Sequence, residues 1–265
     1  MIKKKGIDVS YAQGYIDFDR INKDQVQFAI VRSSFGWETG QKDSMFDRNI
    51  KGFTRKDIPC GAYHYSYAQS PEDAVREAEY CLECIGRAKL SLPVFLDMEE
   101  QCIADCGRRV CTDIIKVFCA HMKAHGRKAG VYLNPNWLEN YVYKNEIIGK
   151  YELWLAQWDS EKPAYPCSFW QYRVGSGGSI NGISGDIDLD IMYTDKKPVR
   201  DNRVKFKVGD HVIVTDPINY DTGEKFVVYP DEDYTVIEAV GDRIVIGIDG
   251  RVTAPINAKY LRLKK

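Results

Sequence analysis

Between Lys5 and Tyr193 the chain repeats one pattern: short runs of apolar, β-branched or aromatic residues, separated by longer amphipathic or polar stretches. The runs are GIDVS, FAIVRS, GAYHYS, PVFLDME, AGVYLN, LWLAQW, SFWQY and DIDLDIMY. Strands alternating with helical segments indicate βα units around a parallel sheet, because parallel neighbours need a crossover and the crossover covers the sheet. The clearest crossover helix follows Ser70, a helix-capping residue, with Pro71 at the first helical position and Val75, Ala78, Leu82 and Ile85 at helical spacing. Further helices are expected after Asp43 and Cys106. Eight strands within about 190 residues fall short of the roughly 250 that a full eightfold barrel takes, so several crossovers must be loops. The expected fold is therefore α/β, an irregular, helix-poor (β/α)8-like barrel over residues 1–195.

The pattern breaks at DKKPVRDN, whose polar residues and proline read as a linker over 196–202. Beyond it FKVGDHVIVT, KFVVY, YTVIEAV, RIVIGI and RVTAPI are short strands split by turn signals, with Gly241-Asp242 and Asp249-Gly250 as two-residue hairpin turns. A small all-β barrel domain is expected over 203–265.

Composition removes several function classes. The formal net charge of -1 lacks the basic excess of a nucleic-acid binder. No segment approaches the roughly 18 apolar residues of a membrane span. The start, MIKKKGIDVSYAQ, has no apolar run after its lysines, so synthesis without a signal peptide and a cytoplasmic start are expected. The eight cysteines then read as reduced thiols. Cys81 and Cys84 form a CxxC inside a helical pattern rather than at a helix start, where redox pairs sit. His121 and His125 lie four apart without the glutamate of a zinc-protease motif, and His64 alternates away from its neighbouring tyrosines. Neither a metal nor an organic cofactor is expected, and the oligomeric state is not readable.

The chemistry concentrates on acids. Period-two alternation in PVFLDME puts Phe95, Asp97 and Glu99 on one face and Val94, Leu96 and Met98 on the other, so two carboxylates end one strand side by side. Glu100 reads as a solvated turn acid. Asp8 in GIDVS, and Asp186, Asp188 and Asp190 in DIDLDIMY, alternate with aliphatic residues in the same way. In α/β barrels the C-terminal strand ends build the active site. Crowded like charges cannot all stay ionised, and a retained proton beside a carboxylate is what glycosidic cleavage requires. Tyr63, Tyr65, Tyr132, Trp154, Trp158, Trp170 and Tyr172 lie on or beside the same strands and offer flat faces for pyranose rings, while Gln157 and Gln171 can bond hydroxyl or acetamido groups. An i, i+2 spacing does not choose between retention and inversion, since rotamers reach either carboxyl separation.

Together GIDVS, GAYHY, LDME, GVYLN, LWLAQW and WQY…NGISGDIDLDIMY resemble glycoside hydrolase family 25, the Chalaropsis-type lysozymes, over nearly all of residues 5–193. The resemblance implies an N-acetylmuramidase that cuts the β-1,4 bond between N-acetylmuramic acid and N-acetylglucosamine of bacterial peptidoglycan. It implies Glu99 as general acid, Asp97 assisting the reacting sugar or its acetamido group, and Asp8 and Asp188 completing the cleft. The chain departs from the pattern at VRSSFG, where a Lys-Ala-Thr-Glu-Gly run is common, and Arg32 and Phe35 stand at that departure. Residues 203–265 resemble a bacterial Src-homology-3-like wall-binding module. Its ten basic residues balance ten acidic ones, which disfavours simple charge attraction. The expected absence of an export signal, together with a targeting module, implies a phage or prophage endolysin acting on the wall after release, with a host autolysin of the same activity or a non-catalytic sugar-binding protein as the alternatives.

Overall fold

The computed structural model describes residues 2–194, 206–229, 232–240 and 243–264. The chain divides into two compact units, Met1–Lys196 and Lys197–Lys265. The expected linker at 196–202 and the Gly241-Asp242 turn lie outside the described residues.

In the first unit, strands β1 (Ile2–Val9), β2 (Ala29–Phe35), β3 (Cys60–Tyr65), β4 (Val94–Asp97), β5 (Ala129–Leu133), β6 (Glu152–Ala156), β7 (Phe169–Arg173) and β8 (Asp188–Thr194) form a closed barrel in chain order. Helices are α1 (Phe46–Arg55), α2 (Pro71–Ile85), α3 (Gln101–Ala104), α4 (Arg108–Ala124), α5 (Pro135–Asn140) and α6 (Lys144–Ile147), of which only α1, α2 and α4 run to ten residues or more. Ser70 caps α2 by accepting the Asp73 N–H at 3.1 Å, and Pro71 fills a position whose N–H has no helical partner.

One feature departs from the parallel sheet expected from sequence. Strands β1 to β7 pair in parallel, but β8 runs antiparallel to both β7 and β1. Residues 174–187, which join β7 to β8, contain no helix, and an antiparallel neighbour needs only a loop. The reversal brings the first residue of β8, Asp188, opposite Asp8 near the end of β1.

Alternation along each strand sorts two cores. Outward residues such as Ile7, Val31, Leu96, Val131 and Leu155 pack under Phe53, Ile114 and Phe118 of the helices. His64 belongs to this outer layer, its Nδ1 2.8 Å from Ser34 Oγ and its Nε2 3.5 Å from Glu77 Oε2. Inward residues Phe28, Ile30, Phe95, Tyr132, Trp154, Phe169 and Met192 fill the barrel. The Phe95 ring meets Phe169 at 5.1 Å and Trp154 at 5.4 Å, giving a solid aromatic plug rather than a channel. Gly6 admits the Phe28 ring, since a Cβ there would lie 2.4 Å from it. Full burial of each such side chain contributes roughly 1.5–3 kcal/mol before entropy is counted.

All eight cysteines are free thiols, and burial pushes the Cys81 thiol up to about 12, so it is an inert packing residue. No helix among the described residues is long and apolar enough to cross a membrane.

The second unit holds β9 (His211–Val214), β10 (Tyr234–Val240), β11 (Arg243–Ile248), β12 (Arg251–Asn257) and β13 (Leu261–Leu263), in the spatial order β12-β11-β10-β9-β13. Asp249 (φ 49°) and Gly250 (φ 74°) both adopt the left-handed conformation that a tight hairpin turn demands between β11 and β12. Val212, Tyr234, Val236, Ile244, Ile246 and Ile256 form its core. The sheet is open: β12 and β13 are its edges and no ladder joins them among the described residues, where sequence led us to expect a closed barrel.

Candidate active site

Five acids gather where the ends of β1 and β4 meet the start of β8. Asp8, Asp97 and Asp190 are buried, Asp188 is half-buried, and Glu99, two residues past the end of β4, opens to solvent. Gln171 of β7 organises the group. Its Nε2 donates to Asp8 Oδ2 at 2.9 Å and lies 3.5 Å from Asp188 Oδ2, while its Oε1 accepts from the Tyr132 hydroxyl at 2.9 Å and the Trp158 indole N–H at 3.1 Å. Asp188 also accepts the Gly175 N–H at 3.0 Å. Asp190 Oδ1 accepts the Trp154 indole N–H at 2.8 Å.

Burial and mutual repulsion hold protons on this cluster. Burial, then the Asp188 charge, lifts Asp8 from an ordinary 3.8 to about 7. Asp97 lies well above the usual carboxylate range because it is buried and faces Glu99 and Asp8. Desolvation raises Glu99, with the charges of Glu100 and Asp188 adding to it, and desolvation also raises Asp188. One oxygen of Asp97 is buried without any donor.

On the β2–β3 side, Arg32 reaches toward the cluster but its Nε donates to the buried Asp43 at 2.8 Å. Asp43 also accepts the N–H groups of Tyr11 and Met45. The Tyr11 ring covers the Arg32 guanidinium at 4.7 Å. Tyr11, Arg32, Phe35, Lys42, Asp43, Ser44, Tyr65 and Tyr67 line a cavity of about 390 Å³. The Tyr65 hydroxyl donates to Glu100 at 2.6 Å, so Glu100 is a half-buried structural partner rather than the solvated turn acid expected from sequence.

Three expected contacts do not reach the mouth. Trp170 and Tyr172 lie on the face of β7 opposite Gln171, their rings 5.7 Å apart, with the Trp170 indole N–H given to the Gln157 carbonyl. The Gln157 carboxamide braces its own loop by accepting the Ala164 N–H at 2.8 Å and donating to Ser160. Trp154 and Tyr132 do face inward, but as parts of the plug, their rings 4.6 Å apart and their polar atoms used on Asp190 and Gln171. Tyr63 packs on Trp154 at 5.9 Å and stays half-buried beneath the mouth. The rings that open to solvent there are Tyr11, Tyr67 and Trp158.

The pattern of glycosyl hydrolases family 25 matches residues 7–183, which span the strands that carry Asp8, Asp97 and Gln171. The chain belongs to this family. It is 26% identical over 188 residues to the autolytic lysozyme of Clostridium acetobutylicum, covering 70% of this chain and 55% of that protein. Among solved structures it resembles the CTP1L endolysin, with 27% identity and a TM-score of 0.63 over 72% of this chain and 67% of that one. It also resembles the modular autolysin LytC of Streptococcus pneumoniae, solved in complex with a synthetic peptidoglycan ligand, with 28% identity and a TM-score of 0.61 over 72% of this chain and 47% of that one. This family 25 chain thus spans little more than half the length of the lysozyme it matches.

In this family 25 barrel, sequence reasoning passed over Asp43 and Tyr11 as site components and named Asp190 among the alternating acids without giving it a role. Asp190 was visible as the third acid of an alternating strand. Asp43 and Tyr11 sit in loops, where no periodicity reports which way a side chain points.

Proposed function

We propose that the barrel hydrolyses peptidoglycan as an N-acetylmuramidase, cutting the β-1,4 bond between N-acetylmuramic acid and N-acetylglucosamine. The observation that carries this reading is the crowd of acids with raised pKa values at one mouth, of which Glu99 alone opens fully to solvent. A solvent-facing carboxyl whose pKa is raised by desolvation and by the charges of Glu100 and Asp188 is placed to protonate a leaving glycosidic oxygen. Asp97, beside Glu99 at the end of β4, assists the reacting sugar or its acetamido group. Asp8 and Asp188 supply negative charge against the oxocarbenium-like transition state. Trp158, with its indole N–H fixed on Gln171, offers a flat face for an adjoining sugar.

The test is clearing of purified cell walls with release of new reducing ends. Glu99→Gln keeps the shape and removes the transferable proton, so activity falls about 100-fold or more. Undiminished clearing by this variant rejects Glu99 as the acid.

We read residues 203–265 as a Src-homology-3-like module that holds the enzyme on the wall, raising its local concentration on an insoluble substrate. Exposed Val208, Val227 and Tyr229 supply apolar contact area for that role. The full chain is expected to sediment with walls and residues 1–195 to remain largely in solution. The likeness to an endolysin supports a phage or prophage role after release from the cytoplasm, and a holin gene beside this one is the expected genomic setting. An isolated chromosomal gene would favour a host autolysin instead.

A further inference from the structure

Asp190 lies at the base of the acid cluster and is wholly buried. Its Oδ1 is taken by the Trp154 indole N–H, while its Oδ2, also buried, meets no N–H or O–H donor. Strand pairing sets Gly6, which has no side chain, opposite Asp190 and Asp8 opposite Asp188, so the buried carboxyls of Asp190 and Asp8 are diagonal neighbours across the β1–β8 seam and each raises the cost of charge on the other. The groups that face this pair are Asp188 on β8, Gln171 on β7, Trp154 on β6, Tyr132 on β5, Asp97 and Glu99 at β4, Tyr63 on β3 and Arg32 on β2. Arg32 is the one cation among them, and its Nε is bound to Asp43. Two buried carboxylates on neighbouring strands of the barrel interior, without a cation of their own, are strongly disfavoured from both being ionised. A shared proton is the arrangement that remains.

We propose that Asp190 is a positioning residue for the hydrolytic site, staying protonated, donating its O–H to Asp8, and thereby limiting the pair to one negative charge while fixing the Asp8 carboxylate at the mouth. The proton belongs on Asp190 because Asp8 already receives the Gln171 N–H, so the better-solvated partner takes the charge. Burial raises both carboxyls, and it leaves no exposed surface on Asp190 while Asp8 keeps a little at the mouth, which agrees with that division. The role assigned to the mouth rests on the hydrolase reading, but the shared proton does not.

The test compares Asp190→Asn, which keeps an acceptor for Trp154 and a donor for Asp8, with Asp190→Leu, which fills the space with neither. Carboxyl carbon NMR titration of Asp8 in the free full-length protein reads the proton directly, and wall hydrolysis from pH 4 to 9 reads its consequence. Asp190→Leu is expected to raise the Asp8 midpoint by about one pH unit and to lower the hydrolytic rate about 10- to 100-fold, while Asp190→Asn keeps the midpoint near that of the wild type and restores the rate to roughly a tenth of wild type or better. Equal losses in the two variants, or an Asp8 midpoint that Asp190→Leu leaves in place, would overturn the proposal. Should Asp190→Leu fail to fold, the Asn variant still decides, because an Asp8 midpoint lowered by more than about one unit there means that Asp190 carried negative charge as an acceptor and was not a donor. Because the titration needs no substrate, an inactive wild type would count against the hydrolase reading alone.

Discussion

Crowding acids into a barrel makes stability depend on pH, and Asp8 sets the scale. A carboxyl whose pKa is higher in the folded chain holds its proton more tightly there, so its contribution to stability is complete below the unfolded value and lost as pH rises through the folded one. With Asp8 at about 7 against an ordinary 3.8, raising the pH from 5 to 8 removes about 2–3 kcal/mol of stability through this group alone. Asp97, Asp188, Asp190 and Glu99 shift in the same direction and add to the loss. Glu146, held low at about 2 by Arg109 and Lys116, titrates below this window and does not offset it. All five tryptophans fall within residues 37–170, so their fluorescence follows unfolding of the barrel unit without interference from the other. The urea midpoint is expected to fall by about 1 M between pH 5 and pH 8, given a slope of roughly 2–3 kcal/mol per molar. Asp8→Asn should flatten much of that dependence and leave the barrel more stable than wild type at pH 8, at the expense of activity. A midpoint that is flat or rises across this range, or a slope that Asp8→Asn leaves unchanged, would refute the reasoning.

Two further substitutions probe the scaffold. In Gly130→Ala the new Cβ lies 2.2 Å from the Glu152 carbonyl oxygen on the neighbouring strand, so a loss of about 2–3 kcal/mol in urea unfolding is expected, and an unchanged midpoint would mean that β5 and β6 separate freely. Arg32→Met keeps the packing stem but strands the buried Asp43 carboxylate on two backbone N–H groups, which should cost about 2–3 kcal/mol in urea unfolding, and an unchanged midpoint would mean that those two N–H groups suffice for Asp43.

The strands were legible because period-two alternation survives in each of the eight runs, and α2 because Ser70-Pro71 marks its start. The direction of β8 was not, since alternation reads the same from either end of a strand and only the missing crossover helix at 174–187 hints at reversal. In the site, alternation set Asp97 and Asp8 on the face opposite their aliphatic neighbours, and applied to β7 it turns Trp170 and Tyr172 to the face opposite Gln171. Grouping those rings with the acids by aromatic content overrode a rule that held. Trp154 shows a different limit: alternation gives the face but not the depth, and a ring on the inner face two residues from the strand end is core rather than platform. Gln157, Tyr11 and Asp43 lie beyond strand ends, where hydrogen bonds within loops decide orientation.

On the proposed reading of the site, the reversed last strand also ties hydrolytic competence to completion of the barrel. Asp188 and Asp190 arrive only when β8 zips between β7 and β1, with Ile2 beside Thr194 at one end of the seam and Asp8 beside Asp188 at the other. Any state in which that seam is open, whether a chain still emerging from the ribosome or one trimmed before residue 188, is relieved of its electrostatic burden and is at the same time disarmed.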